Sequence, residues 1–336
     1  MAKAKIVGTG AYAPGESIGN AELKALAGVD FDEERLESRM GIKARHIARL
    51  RGLDESAADF AERACLAALE GAGVDARDVG LFVVGTDTPE YVSPATAILL
   101  QGRLQGSETE AMAYDVGSSC ASFSLALHGA ARTLASDPSQ RYALVAGVYN
   151  MSAHLRPGDA FGWSIFADGA GAVLLERTTD DDPSGYIEGA FRADGTQWDY
   201  IGVYAGGARR PVTREILEAG TWGLELLQKL PGDRNVKLWP PLVRRLLEKA
   251  GKRLEDVDHF LFTQINRAVI EEVMLILGRP MEDTTCVMDR YGYTGSGCLP
   301  MALNTALAEG RAGRGDTVAM VASGAGFSVG ANLLVI

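Results

Sequence analysis

The chain has 336 residues, 47% of them hydrophobic and 23% charged, the balance of a globular protein with enough apolar material for a large buried core. Asp and Glu outnumber Lys and Arg by 44 to 33, the net charge is −11, and no cluster of basic residues forms a nucleic-acid footprint. No apolar run approaches the roughly 20 residues that cross a bilayer, and Met1-Ala2-Lys3-Ala4-Lys5 leads into a strand rather than into the apolar stretch of a signal peptide, so a cytoplasmic location is expected.

In chain order, apolar β-branched runs predict strands at 4–8, 80–85, 142–147 and 170–175, separated by helical patterns at 56–72 and 122–134 whose alanine-rich faces allow close packing. The later half repeats the theme with a helix at 238–250, a strand at 259–263, a helix at 267–277 and a strand at 317–322. This alternation predicts an α/β fold with covered sheets and excludes an all-β one. An internal similarity accompanies it. Cys120 is followed by a helix, a polar turn and the strand 142–147, and Cys298 by a helix, a Gly-rich turn and the strand 317–322. Two related halves are expected, at 1–176 and 177–336.

The four cysteines, Cys65, Cys120, Cys286 and Cys298, lie far apart without CxxC spacing, so neither a disulfide framework nor a zinc site is expected. Cys120 stands out, because Asp115-Val116-Gly117-Ser118-Ser119-Cys120-Ala121-Ser122 breaks from a strand on small residues just before a helix. Unpaired N–H groups and the helix dipole favour a thiolate there, the setting of a nucleophile; local context also fits a small buried core residue.

Together, Gly8-Thr9-Gly10-Ala11-Tyr12-Ala13-Pro14, Arg39-Met40-Gly41-Ile42, the Cys120 segment, Phe166-Ala167-Asp168-Gly169-Ala170-Gly171, Tyr291-Gly292-Tyr293-Thr294-Gly295-Ser296 and Gly324-Ala325-Gly326-Phe327 resemble the thiolase superfamily, and within it the β-ketoacyl-acyl-carrier-protein synthase III branch. The resemblance runs nearly end to end. It implies a five-layered αβαβα fold of two related halves, a homodimer, and a ping-pong reaction that places an acyl group on Cys120. It assigns the oxyanion hole to the backbone N–H groups of Cys120 and Ala325; Gly324 and Gly326 beside it fit either close backbone approach or a tight turn. No tightly bound cofactor and no metal are implied. The donor is an acyl-CoA or an acyl-phosphopantetheine thioester on an acyl carrier protein, with Arg39 on the phosphate of coenzyme A and Trp163, Phe166 and Asn266 near the substrate.

Two departures from the family pattern stand at catalytic positions. Thr263 replaces the His of a His-Gln-Ala-Asn run, and Tyr293 the Asn of a Tyr-Gly-Asn-Thr run. A Thr hydroxyl is a poor proton acceptor near neutral pH, whereas a phenol donates a hydrogen bond. Tyr293 is therefore expected to be a donor at an enolate oxygen. Asp87, in Gly85-Thr86-Asp87-Thr88, resembles the glutamate segment of the hydroxymethylglutaryl-CoA synthase branch and is a candidate acid/base; a capping or solvated loop carboxylate is its other reading. Among the histidines, His154 follows a strand and precedes the pocket-lining run 161–166, which makes it a second candidate, while His259 stands four strand steps, about 13 Å, from Thr263.

The expected function is transfer of an acyl chain from a thioester to Cys120 and on to a second substrate, by condensation or acyl transfer, in specialised lipid or polyketide metabolism. The segment 192–236 is expected to cap the acyl pocket. A catalytically silent scaffold subunit and a thioesterase are the other readings, since a fold alone does not establish chemistry.

Overall fold

The computed structural model describes residues 3–179 and 181–336. One mixed sheet is built from β1 (Lys3–Tyr12), β2 (Val79–Gly85), β3 (Met112–Val116), β4 (Tyr142–Asn150) and β5 (Asp168–Thr178) in the spatial order β1-β5-β4-β2-β3. The second comprises β6 (Gly185–Gln197), β7 (His259–Phe262), β8 (Thr317–Gly324) and β9 (Gly326–Val335) in the order β7-β8-β9-β6. β2 runs parallel to β3 and β4, and β5 returns antiparallel between β4 and β1. In the other sheet β7 and β8 are parallel, and β9 returns antiparallel between β8 and β6. The same succession of directions therefore occurs twice.

Five main helices complete the layers: α1 (Ala57–Ala72), α2 (Ser122–Ser136), α3 (Arg234–Ala250), α4 (Arg267–Leu277) and α5 (Cys298–Ala308). α2 and α5 each touch strands of both sheets and so lie between them, α1 covers the outer face of the first sheet, and α3, with α4 packed beside it, covers the second. This is an α/β sandwich of five layers. β4, reading YALVAGVYN, is buried from Tyr142 to Tyr149, as expected of a strand covered on both faces. Small side chains let α2 enter the middle layer: Ala126, Ala130 and Ala131 are all buried on it. Among the described residues no helix is long and apolar enough to cross a membrane.

The predicted strands and helices are present with shifted ends. α3 starts at Arg234 rather than 238, with Pro240 and Pro241 inside it, because Trp239 is fully buried against Phe262 at 5.1 Å between ring centroids and fixes this stretch to the sheet. β6 and β9 were not apparent in the sequence. β9 carries Gly, Ser and Asn among its apolar residues, and its buried Asn332 is paired by donating to Ser124 O and accepting from Tyr186 Oη, which only the tertiary structure supplies.

Candidate active site

The turn joining β3 to α2 carries Cys120. Ser122, the first residue of α2, clamps this turn: its Oγ accepts from Ser118 N at 2.8 Å and donates to Ser119 O at 2.5 Å. Ser119 is held in the left-handed region at φ +48°, which non-glycine residues seldom occupy. Cys120 then sits two residues before the helix, 9% exposed, in the wall of a cavity of about 600 Å³.

The expectation that the helix start ionises this thiol is not met. Burial pushes the Cys120 thiol up to about 12, the nearby Asp87 carboxylate adds to the rise, and hydrogen bonds from Tyr293 and Ser119 only partly oppose it. Enclosure in low dielectric outweighs the amide dipoles, so the resting sulfur is a thiol that needs help to lose its proton.

Opposite Cys120 lies the tip of the β8–β9 hairpin, Gly324-Ala325-Gly326, which lines the same cavity. The hairpin packs directly on the nucleophile turn: a Cβ on Gly324 would lie 2.5 Å from Ser118 O and 3.0 Å from the Cys120 nitrogen. Close backbone approach thus accounts for Gly324. Thr263, just beyond β7, holds the strand that feeds the hairpin, since Ser323 N donates to Thr263 Oγ1 at 3.0 Å and Thr263 N donates to Val321 O at 3.0 Å.

Two phenols converge on the sulfur. Tyr149, at the end of β4, and Tyr293 both bring their hydroxyls into hydrogen-bonding contact with Cys120, and burial holds both well above the ordinary phenol range. Each remains a donor at any working pH. Tyr293 is fixed by a short bridge to the neighbouring chain, with Tyr293 N donating to Ile165 O and Ala167 N to Tyr293 O, each at 3.0 Å. Its ring stacks on Phe166 at 5.7 Å, and Tyr149 lies 5.9 Å from Phe166. Tyr149 in turn lies flat over Gly295, where a Cβ would come within 2.4 Å of the ring. Nothing in the sequence around Tyr149 marks it, as it reads as one more apolar residue of a buried strand.

Asp87 follows β2 on a loop tied to the end of β4 by a hydrogen bond from Asn150 N to Thr88 Oγ1 at 2.8 Å. Although the residue is partly exposed, its carboxyl faces the site: Oδ2 accepts from Ser119 Oγ at 2.9 Å, and Oδ1 is buried without a hydrogen-bond partner among the described residues. Burial raises it to about 6 against the lowering effect of the Ser119 hydroxyl. It is neither a helix cap nor a solvated loop carboxylate.

The remaining candidates divide. Phe166 and Asn266 line the cavity, and Asn266 also caps α4 through Oδ1 at 3.4 Å from Val269 N. Trp163 does not reach it. The helix Ala160–Ile165 turns Phe161 and Ile165 to the cavity, while Trp163 is buried behind, donating from Nε1 to Arg156 O and facing the Arg49 guanidinium. His154 also stands outside the lining, on the helical turn Met151–His154. Arg39 is at the surface, in a separate hollow shared with Asp32, Glu34, Arg35 and Ser38, and from its segment only Met40 reaches the cavity. The outer wall comes from the segment 198–235, through Trp198, Ile201, Val203, Leu224 and Leu230, with the Arg234 guanidinium 4.4 Å over the Phe327 ring.

Comparison with known proteins gives this arrangement a context. Residues 114–195 match the family described as 3-oxoacyl-[acyl-carrier-protein (ACP)] synthase III, and residues 247–336 match its C-terminal counterpart. The β-ketoacyl-[acyl-carrier-protein] synthase III of Xanthomonas oryzae pv. oryzae is 35% identical over 98% of this chain and 97% of its own length. Among solved structures, 3-oxoacyl-[acyl-carrier-protein] synthase III from Aquifex aeolicus superposes with a TM-score of 0.85 at 28% identity, covering 99% of this chain and all of that one. The priming β-ketosynthase from the R1128 polyketide biosynthetic pathway does so with a TM-score of 0.87 at 27% identity, covering 99% of this chain and 96% of that one.

Proposed function

The chain belongs to the 3-oxoacyl-[acyl-carrier-protein] synthase III family, and from that membership we propose that it is an acyltransferase that takes an acyl group from a thioester onto Cys120 and passes it to a second substrate. The observation that carries this reading is the placement of the Cys120 sulfur in the wall of a largely apolar cavity, with two phenol hydroxyls on it and the β8–β9 hairpin against its backbone. A buried thiol with no functional role has no need of a cavity or of donors that stay protonated.

In the first half-reaction Cys120 attacks the thioester carbonyl, and the oxygen that gains charge is received by the backbone N–H groups of Cys120 and Ala325, each such donor contributing about 10²–10³ in rate. The acyl chain lies along Phe161, Ile165, Phe166 and the wall formed by 198–235, so this segment sets which chain fits. The donor is an acyl-CoA or an acyl carrier protein bearing a phosphopantetheine thioester, and the working unit is a homodimer.

In the second half-reaction Thr263 and Tyr293 occupy the places of the family's His and Asn. Thr263 takes no proton, because its hydroxyl already accepts from Ser323 N and its chemistry is that of a neutral alcohol. Tyr293 donates to the oxygen that becomes negative on the acceptor, as a buried tyrosine does in ketosteroid isomerase. A malonyl-type thioester, a carbon nucleophile activated beforehand, a hydroxyl and an amine are the acceptor classes this serves.

The test measures thiol released from an acyl-CoA panel and from acyl carrier protein, with and without each acceptor class. Release that depends on acceptor, with an acylated Cys120 accumulating in its absence, is the expected result. Absence of release marks a silent scaffold, and steady release into water alone marks a thioesterase; either outcome rejects transfer.

A further inference from the structure

We propose that Ser119 relays the proton of the Cys120 thiol to Asp87, so that Cys120, Ser119 and Asp87 form a hydroxyl-bridged chain in place of a histidine base. Ser119 Oγ stands between the other two groups, its single proton placed to be donated either to Asp87 Oδ2 at 2.9 Å or to Cys120 Sγ at 3.8 Å. A hydroxyl has one proton and two lone pairs. While that proton is donated to the Asp87 carboxylate, a lone pair is left toward the sulfur and can accept its S–H.

The backbone is arranged for this contact. Position 119 is the single described non-glycine residue with a positive φ, +48°, and the Ser122 hydroxyl clamps both Ser118 N and Ser119 O around it. Glycine would adopt that conformation without strain, yet the chain places a hydroxyl there. No imidazole competes for the role, since none of the four histidines lines the cavity among the described residues: His46 pairs with Gly15 O, His128 with Tyr186, His259 with Thr285, and His154 lies outside the wall.

The electrostatics agree with the geometry. Asp87, raised by burial to about 6, is ionised at neutral pH, and the sulfur, pushed up to about 12, keeps its proton until a carbonyl arrives. Cys120 and Tyr149 are the titratable groups that face Asp87; Tyr293 and Cys298 face Cys120 in turn, and among the described residues Arg234 is the one cation of the cavity wall. The thiol and both phenols stay neutral across the working range, which leaves Asp87 as the group of this cluster that titrates near neutral pH.

The step balances within the site. As sulfur bonds to the thioester carbon, its proton passes to Ser119 Oγ and the Ser119 proton passes to Asp87, while the carbonyl π pair moves onto oxygen. When that pair reforms the carbonyl, the bond to the donor sulfur breaks, and the proton held by Asp87 returns through Ser119 to the departing sulfur, which leaves as a thiol. Ser119 touches the reacting sulfur and is catalytic; Asp87 acts through it.

This inference rests on Cys120 being the acylated residue, but its test does not need the acyl donor. Alkylation of Cys120 by iodoacetamide, followed by peptide mass spectrometry from pH 5 to 9, is compared for the wild type, Ser119→Gly, Ser119→Thr and Asp87→Asn. Ser119→Gly removes the hydroxyl and suits the backbone, so it folds. The wild type and Ser119→Thr are expected to show a rate that rises through about pH 6, whereas Ser119→Gly and Asp87→Asn lose that rise and react about 10²-fold or more slowly at neutral pH. Wild-type rates and profiles in Ser119→Gly and Asp87→Asn overturn the relay. Acylation by thioester donors, measured on the same samples, reports separately on the transfer reaction, so a wild type that alkylates with the pH 6 profile yet never acylates counts against transfer and leaves the relay standing.

Discussion

Gly324 faces Cys120 across a gap that admits no side chain. A Cβ there would lie 3.0 Å from the Cys120 nitrogen and 2.5 Å from Ser118 O, so the hairpin and the nucleophile turn share one surface. Both partners are backbone, and neither can rotate away. Gly324→Ala is therefore predicted to push the hairpin off the turn, lower the melting temperature and cut Cys120 acylation by about 10²-fold or more through loss of an oxyanion donor. Calorimetry together with single-turnover acylation checks both effects.

Tyr149 and Tyr293 give a second pair of outcomes. Both hydroxyls meet the sulfur, but only Tyr293 stands at the position proposed to serve the acceptor. Tyr293→Phe is expected to reduce acceptor-dependent turnover by about 10²–10³. Tyr149→Phe is expected to slow the acylation half-reaction by about 10-fold, the worth of one hydrogen bond to a developing charge. Separate measurement of acylation and deacylation distinguishes the two.

Thr263 is expected to act on structure before chemistry. Its Oγ1 accepts from Ser323 N at 3.0 Å, one residue before Gly324. Thr263→Val removes that acceptor and leaves an enclosed N–H unpaired, at a cost of about 1–3 kcal/mol. Thr263→Ser keeps the acceptor and is expected to stay near the wild type in denaturant midpoint and in acylation rate.

Asp87 is predicted to trade stability for activity. Its folded-state value, raised by burial to about 6, exceeds that of an unfolded aspartate at about 3.9. The folded form holds the proton more tightly, so the stability this group contributes is fully present below about pH 4 and is lost as pH rises through about 6. Asp87→Asn removes that loss. Its melting temperature is expected to exceed the wild type's at pH 8, with a margin that shrinks toward pH 5, while its acylation rate falls.

The sequence revealed the features that local patterns encode. The Ser-Ser-Cys turn, the buried run of β4 and the Gly-Ala-Gly tip are each written in neighbouring residues, and the first and last of them line the site. Tyr149 was not legible, since a tyrosine ending a buried strand carries no mark of what its hydroxyl meets. Ser119 was hidden for a different reason: its role depends on a positive φ and on Asp87, 32 positions earlier, which only the folded loop brings to 2.9 Å. Trp163 misled because residues 161–166 read as one lining run, whereas a helical turn divides them between cavity and core. The thiol shift misled because helix-start placement is visible in sequence and enclosure is not.

The most direct test is the intact mass of the protein after incubation with acyl-CoA donors and acyl carrier protein thioesters, with Cys120→Ala alongside. The account predicts a gain equal to the acyl group, located on the Cys120 peptide and absent from the Ala variant, which also loses all acceptor-dependent turnover. An unchanged mass with every donor, or a Cys120→Ala protein that turns over its substrate at the wild-type rate, would contradict it.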